Sequence, residues 1–413
     1  MPGKARRRPH LMLVAGVASV GLALVGCSRS TDLAQPGGVQ GAAANQPGAA
    51  ASTSTGTPAP PATLTANVRP AASDVPVDTA VVVKAANGTL TTVAFTAADG
   101  TAIRGAFDAA RTTWTAAELL DPGVQYTLHS QAVNADGKAT SSTRAFTTSD
   151  LTLDQQTYPS VTPLAGKTMG IAMPVVVTFD IPVTDRAAFE KRMSVTSVPA
   201  QLGSWHWVSG HEVHWRPRTY WEAGTKVSVD LALNGVNAGN GIYGQVDRHI
   251  HFSIGEAVLI KANVSTERMQ VLVGGKVVRT IKITGGKPGF ETRGGTKVIS
   301  EKYLSKRMNS ATVGIDPNGP NGYNIANVRY AMRVTNSGEF LHAAPWSIRA
   351  QGHYNISHGC VGMSTPNAAW VFHRAQIGTP VEVSGTKRPL EPQNGWTDWN
   401  QSWAQYQAAS ALG

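Results

Sequence analysis

From about Asn67 onward, apolar and polar positions alternate in short runs separated by turn residues. Strand side chains point to opposite faces at a period of two, so these runs predict strands with one buried face. In TAVVVKAANGTLTTVAFTAADGT the runs break at Asn87-Gly88 and Asp99-Gly100, both hairpin-type turn pairs. VQYTLHSQAVNADGKATSSTRAFTT repeats the style, and PVVVTFDIPV, HEVHWRP and TKVSVDLAL continue it between Gly170 and Gly255. MQVLVGGKVVRTIKIT predicts a hairpin that turns at Gly274-Gly275. One segment changes period. In STPNAAWVFHRAQIG, Ala368, Val371, Phe372 and Ala375 recur at helical spacing, Ser364 or Thr365 can cap, Pro366 suits the first turn, and Gly378 can end the helix. TPVEV then returns to strand.

The pattern also repeats. Trp114 and Trp215 each stand nine positions ahead of a glycine, Gly123 and Gly224, and an alternating run follows in both places. This predicts two copies of one β-sandwich module. Stacking on carbohydrate is one use for such tryptophans; core packing is the preferred reading. Trp396, Trp399 and Trp403 fall on one helical stripe, which suits packing against a neighbouring domain better than a ligand platform. The predicted organisation is mainly β: a leader over 1–26, a tether over 27–66, sandwich modules over 67–149 and 150–254, and a third β-rich domain over 255–384 with a short helix. A Trp-rich segment over 385–413 is expected to pack as a helix on the preceding domains.

The first residues follow another pattern. MPGKARRRPH is positively charged, and LMLVAGVASVGLALVG is a short apolar core rather than a membrane span. Leu24-Val25-Gly26-Cys27 resembles a bacterial lipobox, which implies cleavage before Cys27 and lipid on its sulfur. The alternative is an ordinary secretory leader cut further on. From Ser28 to about Ala66 the chain is Ala, Gly, Thr, Ser and Pro, too poor in large apolar residues to bury a core. The chain has two cysteines, so processing at Cys27 leaves Cys360 as the one thiol of an exported protein. The formal charge is +10; without Lys4, Arg6, Arg7 and Arg8 of the leader, 32 basic residues face 26 acidic ones, or +6. The excess is scattered and not interleaved with aromatics, which argues against nucleic acid and leaves an anionic polymer such as cell wall as a neighbour.

Cys360 lies in NISHGCVGMS, on the loop just before the predicted helix. A thiol attacks as its thiolate and needs a base. His342, His353, His358 and His373 are the candidates. His358 stands two residues from Cys360 and shares its face if the segment is extended. His342 ends an apolar run ahead of a Pro turn, as active-site residues do. Zinc held by His342, His353, His358 and Cys360 is the competing use, but CxxC, HExxH and nearby acidic residues are absent.

HAAPWSIRAQGHYNISHGCVGMS looks like the signature of the YkuD-type L,D-transpeptidases, with His342, Ser357, His358, Gly359 and Cys360 at matching positions. NGY at Asn321–Tyr323 and SGEFLH at Ser337–His342 also resemble family segments. The wider layout is similar to mycobacterial members with two Ig-like modules, a catalytic domain and a Trp-rich tail. The resemblance implies a peptidoglycan cross-linking enzyme with no cofactor or metal. Cys360 would attack a diaminopimelate carbonyl of a tetrapeptide stem, D-Ala would leave, and the thioester would pass to a second diaminopimelate amine in a 3→3 link. His342 would be base and acid, oriented by the Ala343 carbonyl. The Gly359 and Cys360 amides and the Tyr323 hydroxyl are candidate oxyanion donors. Ser337 and Gly338 would line the substrate cleft through backbone groups, Ser357 and His358 would hold the loop and substrate, and Trp346 would form a lid or a core contact. Carbapenems would acylate Cys360. The family commonly has Asn where this chain has Gly362, which bears on contacts with the donor. A carboxypeptidase on the same site and a non-catalytic wall-binding spacer are the alternatives.

Overall fold

The structure, a computed structural model, describes residues 57–413. The leader, Cys27 and most of the expected tether lie outside the described residues. Pro58–Gly413 forms one compact unit.

The alternating runs fold into the two expected sandwiches. In the first, Thr63–Ala66, Val82–Ala86, Thr113–Ala116 and Gly105–Phe107 form one sheet, and Ala72–Val75, Ala139–Thr148, Gln125–Val133 and Thr89–Ala97 the other. Phe95, Trp114, Tyr126 and Phe146 fill the space between them. The sandwich begins inside the segment expected to be tether. Thr63–Ala66 pairs with Val82–Ala86 as an edge strand, and its Thr-rich sequence carries little apolar signal. The Asn87-Gly88 turn is not a hairpin, because the strands it joins lie in opposite sheets. Asp99-Gly100 makes a tight turn, closed by Ala97 N–H to Thr101 O at 2.9 Å, but the next strand, Gly105–Phe107, also crosses over.

The second sandwich packs the sheet Pro159–Thr162, Val175–Phe179, Glu212–Pro217 and Gly203–Trp207 against Thr168–Met169, Arg248–Ile254, Lys226–Leu231 and Met193–Val198. The repeat seen in the sequence is physical: Gly123 and Gly224 both have positive φ and lead into the strands Gln125–Val133 and Lys226–Leu231, and the two tryptophans share a further feature. Trp114 lies across Gly105 and Trp215 across Gly203 of the neighbouring strand; a Cβ on either glycine would fall 2.2 or 2.0 Å from the indole. Each glycine pairs with the residue two past its tryptophan, Gly105 with Ala116 and Gly203 with Pro217. Both indoles are core, 3% and 6% exposed, so neither is a sugar platform.

The third domain has two sheets. Lys276–Lys282, Arg268–Val273, Val258–Asn263, Pro380–Ser384 and Gly295–Val298 form one, and its first two strands make the predicted Gly274-Gly275 hairpin. Glu301–Asn309, Asn324–Arg333, Phe340–Ala343 and Val361–Met363 form the other. The helix Thr365–Arg374 buries Ala368, Val371 and Phe372, as its periodicity predicts. It stops at Arg374. Gly378 is used instead for a backbone approach to the second sandwich, where Ala172 N–H donates to its carbonyl at 2.9 Å.

The tail is not one helix. A 3-10 turn, Asp398–Asn400, and a single-turn helix, Trp403–Gln407, are separated by Gln401 and by Ser402, which caps the second. Its tryptophans pack as expected: Trp399 sits 4.5 Å from the Tyr220 ring, and the Arg216 guanidinium lies over both Trp399 and Trp403.

Candidate active site

Two adjacent strands build the site. Phe340–Ala343 and Val361–Met363 are parallel, with His342 opposite Gly362. At a period of two, Leu341, Ala343, Val361 and Met363 enter the core, which leaves His342 and Gly362 on the other face. Cys360, two residues before Gly362, shares that face. A three-residue strand therefore separates Cys360 from the helix, where the sequence suggested a direct loop. The sheets meet here, since Thr284 and Gly362 exchange two backbone hydrogen bonds of 2.9 Å.

Cys360 and His342 line one cavity of about 200 Å³ with Tyr323, Trp346, Ser357, His358 and Gly362. His342 is 5% exposed, and its Nδ1 lies 2.8 Å from the Ala343 carbonyl. A carbonyl only accepts, so Nδ1 carries the proton and Nε2 keeps its lone pair. Burial lowers the His342 pKa below the ordinary 6.5, against the opposing pull of the Ala343 bond. The imidazole is thus a neutral, aimed base. The Cys360 thiol is pushed up to about 12, mainly by burial; the Phe340 amide, Lys297 and Arg333 favour the thiolate, and Glu339 opposes it. The resting pair is therefore thiol and imidazole, not thiolate and imidazolium. Burial, with a smaller contribution from Cys360, raises the Tyr323 phenol to about 12, so it stays a donor at neutral pH.

The remaining predicted residues divide. Ser357 is a loop brace: its hydroxyl donates to the Cys360 carbonyl at 2.6 Å and accepts the Gly359 N–H at 3.1 Å. This corrects the reading of Gly359 as an oxyanion donor, because its amide is already bonded. Gly338 offers its carbonyl 3.7 Å from the Cys360 sulfur. Ser337 does not reach the cavity. Its N–H is held by Asn394 Oδ1 at 2.8 Å and its hydroxyl by Asn394 Nδ2 at 2.9 Å, a tail residue the local sequence could not reveal. His358 faces the Phe290 and Tyr323 rings at 4.7 and 5.1 Å, and its pKa is lowered by burial and by Lys287. Trp346 is 53% exposed and stacks 5.8 Å from His342, a wall of the mouth rather than a core residue. His353 and His373 are exposed and outside the cavity.

Sequence reasoning missed Thr284, whose hydroxyl donates to the Tyr354 carbonyl at 2.9 Å and accepts the Ile356 N–H. It also missed Asn355, which accepts the Gly285 N–H at 2.6 Å and donates to Val264 O at 2.7 Å. Both pin the 345–357 loop over the site. Met308, Ile325 and Ile356 supply apolar lining.

Comparison with known proteins agrees with the fold. Residues 72–237 match the bacterial Ig domain family, and residues 257–383 match the L,D-transpeptidase catalytic domain, YkuD. L,D-transpeptidase 2 of Mycobacterium tuberculosis is 36% identical over 349 residues, which is 84% of this chain and 85% of that protein. L,D-transpeptidase 5 of the same species is 37% identical over 365 residues, 86% of this chain and 78% of that one. A solved L,D-transpeptidase structure in complex with imipenem is 38% identical, covers 54% of this chain and 97% of its own, and has a TM-score of 0.48.

Proposed function

Since the chain belongs to the L,D-transpeptidase family, we propose that it is a peptidoglycan acyltransferase in which Cys360 is the nucleophile and His342 moves the proton. The observation that carries this assignment of roles is the His342–Ala343 bond, which leaves Nε2 bare in the cavity that Cys360 lines.

The steps follow from the two neutral groups. As the sulfur attacks the diaminopimelate carbonyl of a donor stem, its proton passes to His342 Nε2. The carbonyl oxygen becomes an oxyanion. With the Gly359 amide occupied, the Cys360 amide and the Tyr323 hydroxyl are the donors assigned to it. The tetrahedral intermediate collapses, the C–N bond to D-Ala breaks, and His342 returns the proton to the departing amine. A thioester remains. A diaminopimelate amine of a second stem then attacks the thioester carbonyl and gives its proton to His342. Cys360 leaves as thiol, and the product is a 3→3 link. Ser357 braces the nucleophile loop, and Gly338, His358 and Trp346 shape the donor channel. Intact-mass spectrometry after mixing with a tetrapeptide stem tests this: the protein gains the stem mass less D-Ala at Cys360. A modified mass in Cys360→Ala removes the assignment.

The substrate lies in the wall, so the leader and tether acquire a purpose. Lipid on Cys27 would hold the protein at the outer face of the membrane, with the stretch from Cys27 to Thr57 as the tether and the sandwiches as spacers. Labelling with a palmitate analogue should mark the wild type and not Cys27→Ala; equal labelling of both sinks the anchor.

A further inference from the structure

Behind the nucleophile loop lies a charged cluster that the acyl-transfer steps do not use. Lys297, on the strand Gly295–Val298, has no exposed side-chain surface, and its ammonium is bonded to Glu339. The Glu339 carboxylate, 3% exposed, also accepts the Arg293 backbone N–H and guanidinium, both at 3.1 Å. Arg293 continues to Glu391 at 2.5 Å. Buried charges are costly unless paired, and an apolar pair of similar volume often stabilises as well. Stability alone therefore does not account for this cluster.

Glu339 touches the loop. Gly359 has φ +119°, and a Cβ there would lie 3.1 Å from Glu339 Oε1. The carboxylate is packed beneath the residue that precedes the nucleophile. Its charge also reaches the sulfur: Glu339 opposes ionisation of Cys360, while Lys297 and Arg333 favour it. Burial lowers the Lys297 pKa; Glu339 opposes this and, to a smaller extent, so does ionised Cys360. The other titratable groups that line the cavity with the sulfur are His342, as imidazole, Tyr323, as phenol, and His358, whose pKa is lowered by burial and by Lys287.

We propose that Lys297 is a positioning residue for acyl transfer: it pins and neutralises the Glu339 carboxylate beneath Gly359, so that the loop keeps its shape while Cys360 gives up its proton. The inference rests on Cys360 being the nucleophile. Its test reads the thiol directly, by the rate of Cys360 alkylation with iodoacetamide between about pH 7 and 10, followed on the Cys360 peptide of the mature protein; well below the midpoint the rate follows the thiolate fraction, so a tenfold change reports one unit of midpoint shift. Lys297→Met leaves the Glu339 charge less compensated. The alkylation midpoint should rise, and the rate at pH 7 should fall about tenfold for each unit of rise. With stem substrate, kcat should fall and KM stay unchanged. Adding Glu339→Gln to Lys297→Met removes the stranded charge and should bring midpoint and rate back to within about threefold of wild type. A pair that acts through stability alone predicts a lower unfolding midpoint for Lys297→Met, also relieved in the double variant, with the alkylation midpoint unmoved in both. The proposal is overturned by a folded Lys297→Met with the wild-type alkylation midpoint, or by a double variant as displaced as the single. If Lys297→Met does not fold, Glu339→Gln alone decides: the midpoint should fall, and an unchanged or raised midpoint overturns the idea. Failure of the nucleophile assignment is distinct. It would appear as cross-linking by Cys360→Ala, whatever the alkylation midpoints.

Discussion

A Cβ on Gly362 would lie 2.9 Å from Ala344 Cβ and 3.2 Å from Thr284 Cγ2. The side-chain amide that the family resemblance led us to expect here has no room, because Thr284 and Ala344 close the space. Gly362→Asn should therefore not restore a missing contact. Overpacking costs about 1–3 kcal/mol, so thermal unfolding should shift down and acylation should slow; a faster, equally stable variant contradicts this. His342 yields a pH prediction. Burial lowers its pKa from 6.5, so the base form persists at and below that pH. The acid limb of the acylation rate should be centred below 6.5, and His342→Ala should lose about 10²–10⁴-fold in rate. A limb centred at or above 6.5 contradicts the burial argument. Cys360, His342 and Ala343 were legible in the sequence because one short signature carries them. The spent amide of Gly359 and the occupied Ser337 were not, because a hydrogen bond is used up by partners, and Asn394 lies 57 residues from Ser337.

Among the elements, the sandwich repeat was legible because Gly123 and Gly224, each nine residues after a core tryptophan, both take a positive φ that turns the chain into the next strand; the glycines under the indoles, Gly105 and Gly203, stand nine and twelve residues before their tryptophans and were not. Gly203→Ala would place a methyl 2.0 Å from the Trp215 ring. It should destabilise by about 1–3 kcal/mol, read as a lower urea midpoint, while an unchanged midpoint means the ring is free to move. The errors have a common cause. Asn87-Gly88 reads as a hairpin because local chemistry fixes a turn without fixing which sheet receives the next strand. The helix after the nucleophile was expected to run to Gly378, but that glycine serves the approach to Gly170, whose nitrogen would lie 2.9 Å from a Cβ there. The tail tryptophans keep their packing role and lose their helix, since Trp399 turns to donate to the Ala172 carbonyl at 2.8 Å.

Across the whole molecule, the tail ties the second sandwich to the catalytic domain. Asp398 accepts from His214 Nδ1 at 2.7 Å, and Asn400 accepts the Thr296 N–H at 2.8 Å. Burial works against charge on His214, but Asp398 and Glu212 more than offset it and hold the imidazolium to about pH 10. On the catalytic side the same tail supplies Asn394 to Ser337 and Glu391 to Arg293. The 335–338 turn and the cluster under Cys360 are thus fixed by residues more than 50 positions further along the chain, which a catalytic motif alone does not reveal. The central claim is that this assembly serves one thiol. Its most direct test is mass spectrometry of the products formed from a defined tetrapeptide stem. The wild type should release D-Ala and form 3→3-linked dimers, and Cys360→Ala should do neither; dimers made by that variant would contradict the account.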